Sequence, residues 1–176
     1  MRRAAHAFCL LSPTEKGHEA VAVSAEVRVW TDGGCQGNPG PGGWAYVIQS
    51  AQGSAERMGF EASTTNNRME LIAVREALKE LSSDPRLRGL PVTISTDSQY
   101  VQKGITEWIH AWARNGWKTT AKKPVKNMEL WSALWELSRS LSLHWVWVKG
   151  HAGNEMNERC DLLVQQAIAQ GLKRPG

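Results

Sequence analysis

Cysteine is scarce in this chain, which limits the disulfide bonds and zinc sites that could stabilise the fold. Only three of the 176 residues are cysteines, and they form neither a CxxC pair nor a His/Cys spacing typical of zinc sites. This pattern argues against a disulfide framework or a zinc ribbon and favours free thiols in a reducing compartment. The three cysteines are Cys9, Cys35 and Cys160.

Long apolar runs, internal repeats and low-complexity linkers are also missing. No apolar stretch approaches the roughly 20 residues that a transmembrane helix needs, so we expect no membrane association. With no repeat or linker to divide it, a chain of 176 residues suits one domain that buries a real core. The net charge of +4 hints at an acidic partner.

The first 25 residues differ in composition from the rest. They begin with Arg2-Arg3 and carry no acid before Glu15, as an organelle-targeting leader can. The segment "AVSA" resembles a signal-peptidase site, but polar residues separate it from the apolar patch at 7–11, which argues against secretion. We therefore predict a cytoplasmic protein. Nothing in the sequence requires more than a monomer. The predicted protein comprises a disordered extension over 1–25, a folded domain over 26–170 and a flexible tail over 171–176.

Hydrophobic periodicity predicts three strands followed by helices that alternate with two further strands. The strands are predicted at 26–31, 44–49, 57–62, 91–96 and 143–148. The helices are predicted at 67–81, 98–103, 105–113, 128–141 and 157–169, with Asn127 as the N-cap of the fourth. Short spacings favour antiparallel hairpins for the first three strands. This order predicts an α/β fold with a mixed sheet flanked by helices.

Two aspartates follow predicted strands. Asp32 ends the first strand, before a stretch with six glycines in eleven residues, and Asp97 ends the fourth. If these strands are parallel neighbours, both acids emerge at the carboxyl edge of the sheet, where α/β folds place their sites. Strands lie about 4.8 Å apart, so the two carboxylates can converge. Each aspartate taken singly could equally cap a helix or a turn.

Two further acids lie on helix faces that are otherwise apolar. Apolar residues follow Glu70 at i+4, i+7 and i+11, and they follow Asp161 at i+3 and i+7. A buried, unpaired carboxylate is destabilising by several kcal/mol, although an acid in a first helical turn can instead be partly hydrated and favour the helix dipole. Four such acids would repel one another, and a hard divalent cation such as Mg²⁺ would relieve that repulsion.

A basic segment with interleaved tryptophans suggests a nucleic-acid partner. Residues 103–126 contain six Lys/Arg and one Glu, together with Trp108, Trp112 and Trp117. Positive charge beside flat rings suits a phosphate backbone with exposed sugars or bases, although a solvated face over core tryptophans is the alternative. Residues 114–125 show no periodicity and predict a protruding basic loop. Four further tryptophans are interpreted mainly as packing residues: Trp131, Trp135, Trp145 and Trp147.

Several motifs, in order, resemble those of bacterial ribonuclease H type 1. They are "TDGGCQGNPGPGGW", "TTNNRMEL", "STDSQYVQKGI", "GWKTTAKKPVKN" and "WVKGHAGNEMNERCD". The resemblance runs from about residue 27 to about residue 169. It implies the ribonuclease H fold, a five-stranded mixed sheet ordered 3-2-1-4-5, and metal-dependent cleavage of the RNA strand of an RNA–DNA hybrid.

The resemblance also implies roles for individual residues. The metal-binding carboxylates of the family match the acids singled out above: Asp32, Glu70, Asp97 and Asp161. Its mobile catalytic histidine matches His151, which by itself would pass for an ordinary loop histidine. The expected chemistry uses two Mg²⁺ ions, with Mn²⁺ as a substitute, and leaves a 5′-phosphate and a 3′-hydroxyl. His151 would assist proton transfer or product release.

Substrate contacts follow from the same matches. Minor-groove contacts to the hybrid map to Cys35, Asn38, Asn66, Asn67 and Gln99. Short amides can both donate to and accept from the 2′-hydroxyl that distinguishes RNA from DNA. The glycines beside Asp32 would let the backbone approach the duplex closely. The DNA strand would be held by the tryptophans and the basic loop, namely Trp108, Trp112, Lys118, Lys122 and Lys123.

Two departures from the family pattern are visible. Gly34 stands where the family usually has serine, and the basic loop opens with Ala113-Arg114-Asn115, where well-known members have more lysine. The second departure puts substrate affinity in question. Two rivals are a non-catalytic hybrid-binding module, which would lose carboxylates, and a related resolvase- or transposase-like nuclease, which would lack "TTNNRME" and the basic loop.

Overall fold

The computed structural model describes residues 25–173. The predicted extension, apart from residue 25, therefore lies outside the described residues, as do Cys9 and residues 174–176. None of the described helices has both the length and the apolar character needed to cross a bilayer.

Five strands and five α-helices, with one π-helical turn, make up the described chain. The strands are β1 (Val27–Cys35), β2 (Gly40–Ser50), β3 (Gly53–Thr64), β4 (Pro91–Thr96) and β5 (Ser142–Trp147). The helices are α1 (Asn66–Ser83), α2 (Gln99–Lys103), α3 (Ile109–Arg114), α4 (Met128–Ser138) and α5 (Glu155–Lys173). The π-turn Gly104–Trp108 connects α2 to α3.

One mixed sheet carries all five strands in the order β3-β2-β1-β4-β5. The hairpin strands β1, β2 and β3 pair antiparallel, whereas β1, β4 and β5 pair parallel to one another. The predicted fold class and strand order are therefore confirmed. Strand β1 occupies the centre of the sheet, with an antiparallel neighbour on one side and a parallel neighbour on the other.

The alternation of side chains along the strands divides the core into two clusters. In β2, Tyr46 and Ile48 face the larger cluster, which contains the apolar sides of α1 and α4. Ala45 and Val47 point to the opposite side of the sheet, where α5 covers them. The sheet thus lies between helices, as the change of hydrophobic period in the sequence predicted.

The glycine-rich stretch serves packing more than the sequence suggested. A Cβ at Gly33 would lie 2.4 Å from the backbone nitrogen of Glu70, because α1 passes directly against β1 there. A Cβ at Gly43 would lie 2.8 Å from the backbone oxygen of Val164 in α5. These two glycines therefore have a packing role that the sequence did not indicate, whether or not the stretch also approaches a duplex. They let helices approach both faces of the central strands closely.

Two local predictions around the helices need correction. Gly104, between the predicted helices at 98–103 and 105–113, lies in a π-turn that joins them, and a Cβ there would lie 2.0 Å from the Trp131 ring. Asn127 occupies the N-cap position of α4, but its backbone is left-handed and its side chain makes no capping hydrogen bond. Its amide donates instead to the Tyr100 hydroxyl at 3.4 Å.

Helix α5 extends four residues beyond the predicted end, to Lys173. The first three residues of the predicted flexible tail, 171–173, are therefore helical. Gly171 packs against Phe60 of β3 so closely that a Cβ would lie 2.1 Å from the ring. This contact, at the far end of α5, explains why the helix continues past the last residue that the periodicity indicated.

Candidate active site

Asp32 and Asp97 lie side by side at the carboxyl end of the parallel ladder. The last parallel pair between β1 and β4 joins Thr31 to Thr96, and each aspartate is the next residue. The sequence predicted that Asp32 ends its strand, but β1 continues to Cys35 in antiparallel pairing with β2. Asp32 and Asp97 nevertheless converge as expected, because the parallel pairing of β1 with β4 ends immediately before them.

Helix α1 brings a third acid to this point. Glu70 lies in its first turns, and the close packing of the helix backbone on Gly33 places the glutamate beside the strand edge. Carboxylate oxygens of Asp32, Glu70 and Asp97 lie within 4.8 Å of one another. Three acids that are distant in the sequence therefore share one small volume.

Burial and mutual repulsion govern the ionisation of Asp32. Burial, followed by the charges of Asp97 and Asp161, raises its pKa to about 7, while the hydrogen bond that the Gly33 N–H donates at 2.9 Å acts in the opposite direction. The carboxyl is only 8% exposed. Asp32 thus titrates near neutrality, where a bound divalent cation would strongly favour its charged form.

Glu70 is buried without a compensating partner. Burial, followed by the charges of Asp32 and Asp97, raises its pKa well above the ordinary 4.5. Its Oε2 atom has no hydrogen-bond partner among the described residues. Nor does any cationic side chain in 25–173 form an ion pair with Asp32, Glu70 or Asp97. An orphaned oxygen within an all-oxygen donor set fits a hard divalent cation.

Asp161 lies close to this cluster but outside its tightest part. It is half-buried on α5, and its charge raises the pKa of Asp32. It is not among the three acids whose oxygens lie within 4.8 Å of one another. The Gln165 amide donates to its Oδ2 at 3.3 Å. The fourth predicted ligand is therefore adjacent to Asp32, on the side of the sheet that α5 covers.

His151 lies in the loop between β5 and α5, residues 148–154. Its side chain is exposed and its backbone φ is +53°, a left-handed conformation uncommon outside glycine. Its neighbour Gly150 packs against Asp97, where a Cβ would lie 2.8 Å from Oδ2. The loop that carries the predicted catalytic histidine therefore passes directly over one of the clustered acids.

Two residues that contact Asp97 were not predicted as site residues. The Asn157 amide donates to Asp97 Oδ2 at 3.3 Å, and the Trp147 indole N–H donates to the Asp97 carbonyl oxygen at 3.0 Å. Trp147 was interpreted as a packing residue, but it is 40% exposed. The i, i+4 spacing of Asn157 and Asp161 on α5 was the signal that could have identified the asparagine.

Three of the predicted minor-groove residues form one hydrogen-bonded group beside the acids. The Cys35 N–H donates to Asn66 Oδ1 at 2.9 Å, and the Asn66 N–H donates to Asn38 Oδ1 at 3.3 Å. The other two are exposed nearby: Asn67 follows Asn66 at the start of α1, and Gln99 begins α2, two residues after Asp97. All five lie close in sequence to a clustered acid or to its strand.

The tryptophans and lysines form a separate region. Trp108 and Trp112 are half-buried, with ring centroids 5.6 Å apart, and Trp112 packs edge-on against Trp131. The basic loop is a small hairpin rather than a shapeless segment, closed by a bridge between Lys118 and Pro124. A hydrogen bond joins it to the aromatic group formed by Trp108, Trp112 and Trp131: the Trp117 backbone N–H donates to the Trp112 carbonyl oxygen at 2.7 Å. The exposed lysines on it are Lys118, Lys122 and Lys123.

The family model described as RNase H matches residues 24–169, which is most of the chain. The chain belongs to the ribonuclease H family. A ribonuclease H of Bordetella bronchiseptica is 52% identical over 143 residues, covering 81% of this chain and 89% of that protein. One of Cupriavidus metallidurans is 53% identical over 144 residues, covering 82% and 96%.

Solved structures of ribonucleases H share the fold. LC9-RNase H1, a type 1 RNase H with the type 2 active-site motif, is 32% identical with a TM-score of 0.72, over 84% of this chain and 74% of that one. LC11-RNase H1, solved in complex with an RNA/DNA hybrid, is 26% identical with a TM-score of 0.65, over 84% and 99%.

In this chain, the glycine at position 34, where the family usually has serine, is not sterically required. A Cβ at Gly34 would make only ordinary contacts, 3.8 Å from Val164 and 4.0 Å from Asn66. The backbone there has room for the Cβ of a side chain. Gly34 therefore differs from Gly33, where the adjacent helix backbone excludes any side chain.

Proposed function

We propose that this chain is a metal-dependent endonuclease that hydrolyses the RNA strand of RNA–DNA hybrids. The observation that carries the proposal is the convergence of Asp32, Glu70 and Asp97 within 4.8 Å, with Glu70 Oε2 unpaired. The name shared by the relatives and the hybrid bound by LC11-RNase H1 support the substrate class.

The proposed cofactor is a pair of Mg²⁺ ions, with Mn²⁺ as a substitute. Asp32, Glu70, Asp97 and Asp161 would hold them, because oxygen-only donor sets suit hard cations. When bound, such ions activate water, neutralise charge on the phosphate and stabilise the leaving 3′ oxygen. The protein contributes a fixed arrangement of acids at the sheet edge. The products are a 5′-phosphate and a 3′-hydroxyl.

His151 is proposed to move protons during turnover. Two observations support this role: His151 is exposed, and its neighbour Gly150 packs on Asp97. An imidazole can accept or donate a proton near neutral pH. In this role it would carry the proton that the attacking water loses, or assist product release, without contributing to metal binding.

The five predicted minor-groove residues beside the acids are proposed to recognise the RNA strand. Cys35, Asn38 and Asn66 are already linked by hydrogen bonds, so they present a fixed polar surface, and Asn67 and Gln99 extend it. Only the 2′-hydroxyl distinguishes an RNA from a DNA nucleotide at a given position. Amides that donate to and accept from that group would confer specificity for hybrids without reading sequence.

The DNA strand is proposed to lie against the aromatic group and the basic hairpin. Trp108 and Trp112 offer ring surface at their exposed edges, and the exposed lysines Lys118, Lys122 and Lys123 offer charge. Contacts to phosphates release counterions, so we expect hybrid binding to weaken steeply with salt.

A substrate panel tests the proposal. Labelled RNA–DNA hybrid, double-stranded DNA and double-stranded RNA of one sequence are incubated with the purified chain in Mg²⁺, and parallel reactions contain EDTA. We expect cleavage of the hybrid alone, in its RNA strand, only with metal, and products with 5′-phosphate ends. A second hybrid, 2′-O-methylated at a four-nucleotide window, should resist cleavage within that window.

Other outcomes point to the rival functions. Binding of the hybrid without cleavage in either Mg²⁺ or Mn²⁺ would indicate a non-catalytic module. Cleavage of double-stranded DNA or branched DNA would indicate a resolvase- or transposase-like nuclease. Either result refutes the proposal.

We further propose that the chain acts in the cytoplasm as a monomer. All candidate site residues come from one chain, and the two described cysteines, Cys35 and Cys160, are unpaired. Unpaired thiols fit a reducing compartment. Cell fractionation and sedimentation of the purified chain would test the two statements.

A further inference from the structure

Asn157 is a buried polar residue whose side chain points at an acid of the site. It lies in the first turn of α5 and is 3% exposed. Its Nδ2 donates to Asp97 Oδ2 at 3.3 Å. Because a carboxylate oxygen only accepts hydrogen bonds, this contact fixes the orientation of the amide: the NH₂ group must face Asp97.

The start of α5 does not depend on this side chain for its cap. Asn154 accepts the Asn157 backbone N–H through its side-chain oxygen at 3.2 Å, and its carbonyl oxygen accepts the Glu158 N–H at 2.9 Å. The Asn157 Oδ1 atom has no hydrogen-bond partner among the described residues. Among the described residues, the asparagine side chain therefore makes one hydrogen bond, and that bond is to Asp97.

The other residues around Asp97 leave the orientation of its carboxylate to this hydrogen bond. The Trp147 indole holds the main chain of Asp97 through the carbonyl oxygen, and Gly150 packs against the carboxylate without donating to it. No cation pairs with Asp97 within the described chain. Among the described side chains, only Asn157 donates to this carboxylate.

We propose that Asn157 is a positioning residue that orients the Asp97 carboxylate toward Asp32 and Glu70 for metal binding. The inference rests on the proposed function and adds a residue to it. An amide suits this task because it donates without charge. A lysine would compete with a divalent cation for the acids, and an aspartate would add to their repulsion. Removal of a residue that orients a metal ligand typically weakens metal binding about 10- to 100-fold.

The test compares three variants with the wild-type chain. Asn157→Leu keeps the branched shape of the side chain without a donor, although it is larger, so Asn157→Ala guards against overpacking or misfolding of the leucine variant. Asn154→Ala removes only the side-chain part of the helix cap. Mg²⁺ alone is titrated into each protein without nucleic acid and followed by the backbone NMR signals of Asp32 and Asp97. Hybrid cleavage then gives kcat and KM, and thermal unfolding in EDTA gives Tm.

We expect both Asn157 variants to weaken Mg²⁺ binding at least tenfold and to lower kcat at least tenfold, with KM for the hybrid within twofold of wild type. Asn154→Ala should lower Tm while Mg²⁺ affinity and kcat stay within twofold. Unchanged Mg²⁺ affinity in both Asn157 variants would overturn the inference. Equal losses in Asn154→Ala would also overturn it, because they would show a purely structural effect of the helix start.

Failure of this inference is distinguishable from failure of the proposed function. If the wild-type chain does not cleave the hybrid, the proposed function is refuted, while the Mg²⁺ titration still shows whether Asn157 organises the acids. If the wild-type chain cleaves and the Asn157 variants bind Mg²⁺ as it does, only the positioning role is refuted.

Discussion

Glu56 and Glu70 show how differently two regions of this molecule hold their acids. Glu56 on β3 receives two hydrogen bonds from the Arg159 guanidinium, at 3.0 and 2.8 Å, and this contact lowers its pKa. Glu70, in the acid cluster, forms no ion pair among residues 25–173, and burial followed by like charges raises its pKa. Glu129 follows the first pattern through Arg68, and Asp32 follows the second.

The two patterns affect stability in opposite directions with pH. Glu56 has a lowered pKa, so its stabilisation is present above the unfolded-state value and is lost as pH falls through the folded one. Asp32 has a pKa raised to about 7, so the folded state binds more protons than the unfolded state between about 4 and 7. Its contribution to the free energy of unfolding therefore falls as pH rises through that window. The paired acids maintain the fold, whereas the clustered acids destabilise it until a cation binds.

Removing a metal ligand should have the largest effect. Asp97→Asn keeps the shape of the side chain but removes its charge, so we expect kcat to fall about 1,000-fold or more while the hybrid still binds. Single-turnover cleavage and equilibrium binding of the same labelled hybrid measure the two quantities. Substantial residual cleavage would contradict the assignment of Asp97 as a ligand.

Neutralising Asp32 should stabilise the metal-free protein in a pH-dependent way. The difference between its pKa of about 7 and the ordinary 3.8 corresponds to roughly 4 kcal/mol when the group is fully ionised. We therefore expect Asp32→Asn to gain about 2–4 kcal/mol in unfolding free energy between pH 4 and pH 8.5, relative to wild type. Urea unfolding in EDTA at the two pH values measures this change.

That gain should disappear when metal is present. Saturating Mg²⁺ stabilises the wild-type chain by binding its folded state and should do so far less for Asp32→Asn. An equal gain at both pH values would show that the buried charge is not its cause.

Removing the loop histidine should have an intermediate effect. His151→Ala eliminates a proton carrier but leaves the acids in place, so we expect kcat to fall about 100-fold with little change in KM. The pH–rate profile should also lose one limb. An unchanged rate would remove His151 from the mechanism.

Breaking a paired acid should have the smallest effect and the opposite sign to Asp32→Asn. Glu56→Gln weakens the contact with Arg159 at a partly exposed position, so we expect a loss of at most about 1 kcal/mol above pH 5 and unchanged cleavage. The loss should shrink as pH falls through the lowered folded-state pKa of Glu56. A gain in stability at pH 8 would show that the two regions do not differ as described.

The fold was predictable because hydrophobic period and strand spacing are local properties. Strand β4 was predicted with the bounds that it has, and the change from period 2 to period 3.6 marked the passage from β3 to α1. The ends of several elements were not predictable, since contacts distant in sequence determine them. Packing on Phe60 extends α5, and the room that Gly104 leaves for Trp131 joins two helices through a π-turn.

The candidate site was partly predictable. Glu70 stood out because an acid on an apolar face is unfavourable unless something compensates it, and Asp32 and Asp97 stood out at strand ends. Asn157 and Trp147 did not, because an amide at a helix start and an indole in a strand are each ordinary. Their importance depends on the atom of Asp97 that each one contacts, and only the folded chain brings those atoms together.

By itself, the sequence determined which residues alternate, which carry charge and which faces are apolar, and these properties fixed the elements and the identity of the acids. The tertiary structure alone decided that three of those acids meet within 4.8 Å, that Asp161 lies beside rather than inside the group, and that glycines 33 and 43 serve packing. The physical reason is that propensity and periodicity act within one element. Repulsion, burial and close packing, in contrast, depend on distances between elements that no single segment encodes.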